Sequence, residues 1–179
     1  IRWDSAYIKK TSDVNMGFLP YTKKNIIRQA FKMLGQGYGW GNINGKRDCS
    51  SFIKDVFATV GIYLPRNSRQ QILTGKLLGH TDNGSSANDM KGVIKSAIPG
   101  ITLIGLNAHI MLYLGKVDNR DYVIHSLFGY GDANGFKAVN SIIVTDLNLG
   151  SKTKNGAFID RLKGVTLVTH EPQTKDSPQ

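Results

Sequence analysis

The chain has 179 residues, 40% of them apolar and 20% charged, with 20 glycines and 5 prolines. That length suits one domain with an appendage, and the apolar share can fill a core without disulfide or metal staples; disordered, collagen-like and low-complexity classes are excluded. Lys and Arg number 23 against 13 Asp and Glu, a net charge of +10 that draws the protein toward polyanions: nucleic acid, anionic lipid or acidic wall polymers.

The chain opens Ile1-Arg2-Trp3-Asp4 without an initiator Met, as expected of a processed form or a fragment. Residues 1–20 read as an extended lead-in, the end of an upstream domain. Thr22 can cap a helix with apolar residues at Ile26, Ile27, Ala30, Phe31 and Leu34, a core helix stopped by Gly35 and Gly37. The following loop, Gly37 to Arg47, is glycine-rich but implies no nucleotide. Gly41 to Gly45 is one residue short of a Walker loop, Arg47 stands where Ser or Thr is required, and Asn42 takes the third glycine place of the dinucleotide pattern.

Asp48 is a good N-cap for a second helix carrying Cys49, Phe52, Ile53, Val56, Phe57 and Val60, ended by Gly61. Asn67 or Ser68 starts a short third helix over 69–74. Residues 79–88 read as a polar surface loop, 89–97 as a weak helix, and Pro99-Gly100 as a turn. The pattern then changes to strands at 101–104, 108–115, 121–126, 139–145, 157–159 and 165–169. The second and third of these form a hairpin through Val117-Asp118-Asn119-Arg120. Residues 171–179 read as a flexible tail. Helices followed by an antiparallel sheet give an α+β fold.

Several function classes fall away. Basic residues come in scattered pairs with no block of five, and no recognition motif accompanies them, so nucleic acid is not an expected partner. No apolar run reaches the ~18–20 residues of a transmembrane helix. Cys49 is the single cysteine, so no intrachain disulfide is possible. The four histidines, His80, His109, His125 and His170, show no zinc spacing, and neither metal nor cofactor is expected.

Cys49 in the first turn of a helix meets the positive end of the helix dipole and unpaired N–H groups. Both favour the thiolate, which can bring a thiol from ~8.5 into the ~3.5–7.5 range. The same N–H groups can receive the oxyanion of an acyl-transfer intermediate. A nucleophile needs a base, and the base an orienting group. His109 opens one strand and His125 lies in the strand paired with it. A turn at 117–120 places residue 109 opposite about 126–128, bringing both imidazoles to one end of the sheet. A satisfied core or edge histidine is the alternative for each.

Gly39-Trp40-Gly41, Asp48-Cys49-Ser50-Ser51-Phe52, Gly61-Ile62-Tyr63-Leu64-Pro65-Arg66-Asn67-Ser68 with Gln71, Ala108-His109-Ile110-Met111-Leu112-Tyr113-Leu114-Gly115 and Val123-Ile124-His125-Ser126 occur in that order. Together they resemble the NlpC family of bacterial cell-wall cysteine peptidases, over about residues 21–130. The resemblance implies a papain-like fold for a domain over 21–170. It also implies hydrolysis of peptidoglycan stem peptides, often between γ-linked D-glutamate and the diamino acid, outside the bacterial cytoplasm. Peptidoglycan or muropeptides are the implied partners, with anionic wall polymers as further candidates. Cys49 carries over as nucleophile, His109 as base and His125 as its orienting residue. Tyr38, Asp48 and Ser50 match positions that line the substrate pocket in some relatives, where the Asp carboxylate holds a free L-Ala amine; Asp48 as a plain helix cap is the competing reading.

Two departures bear on local shape: Ser51 and Met111 stand where the family usually has glycine. Arg66 and Gln71 read as packing or loop anchors, Trp3 and Trp40 as covers for cleft or core, and His80 and His170 as solvated. The rival functions are a papain-like amidase or acyltransferase on another amide or ester, and a non-catalytic wall-binding module.

Overall fold

The computed structural model describes residues 7–9, 11–84 and 86–169. Trp3, His170 and the tail over 171–179 lie outside the described residues. Helices α1 (Lys23–Lys32), α2 (Cys49–Ala58) and α3 (Ser68–Ile72) come first. Strand β1 (Lys76–His80) and helix α4 (Ala87–Val93) follow. Strands β2 (Thr102–Leu106), β3 (His109–Val117), β4 (Arg120–Asp132), β5 (Gly135–Asp146) and β6 (Gly164–Leu167) complete a six-stranded sheet of order β1-β6-β2-β3-β4-β5, antiparallel at every pairing. The α+β expectation holds.

The helix starts follow from their caps. Thr22 accepts from the Asn25 N–H, Asp48 from the Ser51 N–H and Asn67 from the Arg69 N–H, each satisfying an orphan donor of a first turn. The β3–β4 hairpin turns at Asp118 and Asn119, both in the left-handed region, which matches the right-handed twist of the flanking strands.

Alternation along the central strands splits the core in two. Ile110 and Leu112 of β3 and Ile124 of β4 pack with Phe52, Ile53, Val56 and Phe57 of α2. Met111 and Tyr113 of β3 and Val123 and Leu127 of β4 face the other way, against Met90 of α4, Phe158 and Val165. The sheet is covered on both faces. Complete burial of side chains such as Phe52 and Phe57 contributes ~1.5–3 kcal/mol each. Lead-in residue Leu19 is tied to the end of α2 by its N–H to Thr59 O, 2.9 Å.

Four expectations are corrected. Only Ile26 and Ala30 of α1 are fully buried, while Phe31 and Leu34 are exposed, because α1 packs on α2 along one narrow stripe. Residues 76–80 form a strand rather than leading into a plain surface loop, since β6 supplies a partner. A Cβ at Gly79 would lie 2.9 Å from Val93 Cγ2, so this polar stretch lies against α4. Residues 157–159 are not a strand: Phe158–Arg161 is a 3₁₀ turn in which Asp160 accepts from the Ala157 N–H at 2.9 Å. His80 is not solvated; its side chain is 13% exposed, and Nδ1 accepts from the Asp82 N–H at 3.1 Å.

Candidate active site

The site forms where the first turn of α2 meets the first residue of β3. Asp48 fixes that turn. Its Oδ1 accepts from the Ser51 N–H at 2.9 Å, Ser50 Oγ at 3.1 Å and Arg66 Nη1 at 3.1 Å. Its Oδ2 accepts from the Gly41 N–H at 3.1 Å and Arg66 Nη2 at 2.5 Å. Burial alone would raise the Asp48 pKa, but the Arg66 fork and the Ser51 N–H outweigh it and hold the carboxyl below its ordinary value. Gln71, fully buried, donates to Ser50 O and Pro65 O at 2.8 and 2.7 Å, so Arg66 and Gln71 are indeed anchors of this turn. Ser51 fits where glycine was expected, its hydroxyl returning to Asp48 O at 3.2 Å, and Met111 is absorbed by the second core.

Cys49 is buried, 8% exposed. Burial pushes its thiol above the ordinary value, and the Asp48 charge adds to that. The amides of Ile110, Ser50 and Cys49 itself pull the other way without prevailing. The direction is opposite to the thiolate-favouring one expected from the helix start: burial and the Asp48 charge outweigh the three amides. The pull of the Ile110 amide sets the sulfur beside the residue that follows His109.

His109 and His125 belong to strand faces of the same parity as Met111 and Val123, so both rings lie on the side of Phe158, whose ring centroid is 6.2 and 6.1 Å from theirs. His109 Nε2 lies 2.7 Å from His125 Nδ1, and His125 Nε2 lies 3.0 Å from Thr145 Oγ1. Burial and the charge of Arg161 bring the His109 pKa from 6.5 down to about 4. His125, with no exposed surface, is driven well below its ordinary value by burial and by the charge of His109. Ala108, in the β2–β3 turn just before His109, has φ +57°, a strained conformation for a residue with a Cβ.

Cys49 and His109 line one cavity of about 680 Å³ with Tyr38, Trp40, Phe128, Phe136 and the 158–163 segment. An adjoining cavity of about 430 Å³ joins Cys49 to Tyr38, Asp48, Ser50 and Arg66. Tyr38 packs on Phe128 with ring centroids 5.6 Å apart, and its phenol is pushed up to about 12 by burial and by the charges of Cys49 and Asp48, so it stays protonated. Trp40, 74% exposed, stands on the wall common to both cavities. The structure thus gathers all six residues singled out in the sequence: Cys49, His109, His125, Tyr38, Asp48 and Ser50. Thr145 escaped the sequence reading. Its signal was strand parity, for it lies opposite Val123, two positions along β5 from the partner of His125.

Residues 35–148, well over half the chain, match the NlpC/P60 family. The chain belongs to the NlpC/P60 family. Solved NlpC/P60 structures share its fold. An NlpC/P60 endopeptidase of Photobacterium damselae subsp. piscicida superposes with a TM-score of 0.68 at 24% identity, over 84% of this chain and 39% of that one. A peptidoglycan hydrolase of Mycobacterium tuberculosis does so with a TM-score of 0.51 at 18% identity, over 83% of this chain and 65% of its own. The probable endopeptidase p60 of Listeria monocytogenes is 52% identical over 48 residues, 26% of this chain and 10% of the Listeria protein. The matched regions thus amount to 10% of the Listeria protein, 39% of the Photobacterium chain and 65% of the Mycobacterium chain, less than two thirds of each. Among the described residues no group of three or more His, Cys, Asp or Glu is placed to hold a metal ion, and no helix is long and apolar enough to cross a membrane.

Proposed function

We propose that this NlpC/P60 chain is a thiol peptidase that hydrolyses an amide of peptidoglycan stem peptides, at the bond between γ-D-glutamate and the diamino acid, outside the cytoplasm. The observation that carries this reading is the 2.7 Å contact of buried His125 with His109, which lines one cavity with Cys49. The net charge of +10 suits a protein working among anionic wall polymers.

Each group's role follows from its hydrogen positions. His125 occupies Nε2 of His109, leaving Nδ1 as the nitrogen that can act on the thiol. A free base at Nδ1 requires the proton of neutral His109 on Nε2, donated to His125 Nδ1. His125 must then carry its own proton on Nε2 and donate it to Thr145 Oγ1. With the thiol raised and the imidazole lowered, the resting pair is neutral. The thiol proton moves to His109 Nδ1 as sulfur bonds to the scissile carbonyl carbon. The oxyanion is received by the first-turn amides of Cys49 and Ser50, the Ser51 N–H being held by Asp48. The C–N bond then breaks, His109 Nδ1–H protonates the leaving amine, and a thioester remains. Water, deprotonated by His109, attacks the thioester; the C–S bond breaks and the proton returns to sulfur.

The test is mass spectrometry of the protein incubated with L-Ala-γ-D-Glu-diamino acid peptides, beside Cys49→Ala. Release of the diamino acid by the wild type alone is expected. Turnover retained in Cys49→Ala overturns the mechanism, and a stable thioester without hydrolysis identifies an acyltransferase instead.

A further inference from the structure

The cavity that holds Cys49 and His109 has two cations on one wall, Arg161 and Lys163, that make no close ion pair among the described residues. Arg161 ends the 3₁₀ turn Phe158–Arg161; its guanidinium carbon stands 4.9 Å from the Phe158 ring centroid and its Nε reaches Ala157 O at 3.4 Å. Lys163 lines the same cavity two residues later, its backbone pinned by the Lys163 N–H to Gly105 O at 2.8 Å and by the Thr81 N–H to Lys163 O at 2.9 Å. Among the described residues no carboxylate oxygen comes within 4.0 Å of either cation. The acid on that wall, Asp160, is already taken by Lys91 at 2.6 Å and by the Ala157 N–H. The wall therefore carries two cations, Arg161 and Lys163, against one carboxylate, Asp160, which is bonded to Lys91 and meets the Arg161 charge only beyond ion-pair distance.

The position of the wall along the cleft gives that charge a purpose. The cavity with Arg161 and Lys163 includes His109, whereas the one with Asp48 and Arg66 includes Cys49 but not His109. In amide hydrolysis at Cys49 the leaving nitrogen takes its proton from His109, so the leaving half of the substrate lies on the His109 side. We propose that Arg161 and Lys163 form a leaving-side subsite for a free carboxylate, borne by the residue whose amine is released. Arg161 supplies the planar two-donor fork and Lys163 a mobile point charge. This inference rests on the amide-hydrolysis reading above.

The probes are two peptides, L-Ala-γ-D-Glu-L-Lys with a C-terminal carboxylate and the same peptide as its carboxamide. Binding to Cys49→Ala by calorimetry is read beside kcat/KM of the wild type. The carboxylate peptide is expected to bind and react about tenfold better, the range of one charge-assisted contact. That preference should shrink in Arg161→Gln and in Lys163→Gln, and vanish in the double variant. Lys163→Gln, which leaves the Phe158 contact intact, answers the case in which Arg161→Gln does not fold. Equal binding of the two peptides to Cys49→Ala, or an undiminished preference in the double variant, overturns the subsite. Failure of the wild type to cut either peptide counts against the peptidase reading instead, because the binding arm still reports the carboxylate preference.

Discussion

His109 and His125 share a 2.7 Å contact between Nε2 and Nδ1, and the far nitrogen of His125 meets Thr145 at 3.0 Å. The two distances form a chain in which each ring's tautomer sets the next. Thr145→Val keeps the shape of the side chain and removes the acceptor, leaving a buried His125 N–H unpaired. The expected outcome is a fall in kcat of about tenfold or more, with KM little changed, and a stability loss of ~1–3 kcal/mol. Thr145→Ser should restore kcat. If the valine variant turns over normally, the hydroxyl does not set the tautomer.

The neutral resting pair has a chemical signature. A thiol raised above its ordinary value beside an imidazole lowered to about 4 holds little thiolate at neutral pH. Alkylation of Cys49 by iodoacetamide is expected to accelerate steadily with pH, without levelling off before pH ~9. A plateau of fast alkylation reached near pH 6 indicates a thiolate–imidazolium pair and contradicts the neutral one.

The same two histidines make stability depend on pH. In the unfolded chain an imidazole titrates near 6.5, while folded His109 does so near 4 and His125 well below its ordinary value. Between those values the unfolded state binds more protons, so stability is fully present above pH ~6.5 and is lost as pH falls toward 4. For His109 the loss amounts to ~3 kcal/mol, and His125 adds to it. Thermal unfolding between pH 7 and 4 should show a smaller decline in His109→Gln than in the wild type. Parallel declines would mean that the rings gain their protons without unfolding cost. Asp48, with its lowered pKa, holds its stabilising contacts through this window and loses them only as pH falls below the ordinary carboxyl range.

What the sequence disclosed depended on how local the determinant was. Thr22 and Asp48 each meet their N–H partner three residues on, and both caps were legible as residue patterns. The hairpin through Asp118 and Asn119 was legible for the same reason, and its register brought His109 and His125 together. Strand β1 was not, because Lys76 and Leu77 find their partners at Leu167 and Thr166, far along the chain. Phe158 looked like a strand residue because it is apolar, yet its turn is set by Asp160 and by its own N–H to Leu149 O. For Cys49 the helix terminus is visible in the sequence, whereas the burial that raises its thiol is set by packing distant in the chain and is not.

Asp48 offers the sharpest test of how the acyl side of the cleft is used. Both carboxylate oxygens are occupied by the Ser51 and Gly41 amides, Ser50 Oγ and the Arg66 fork, and the side chain is 10% exposed. A substrate ammonium that takes this carboxylate must compete with Arg66, whose side chain is 45% exposed. Asp48→Asn keeps an oxygen for the cap and discards the charge; Asp48→Ala loses the cap as well, at a cost of ~0.5–2 kcal/mol for that contact alone. Stem peptides with a free and with an acylated L-Ala amine separate the two roles. If Asp48 receives the amine, the wild type prefers the free-amine peptide and Asp48→Asn cuts both peptides at similar rates. If Asp48 serves as cap and Arg66 anchor, the wild type cuts both peptides alike, and Asp48→Asn alters stability without altering that ratio.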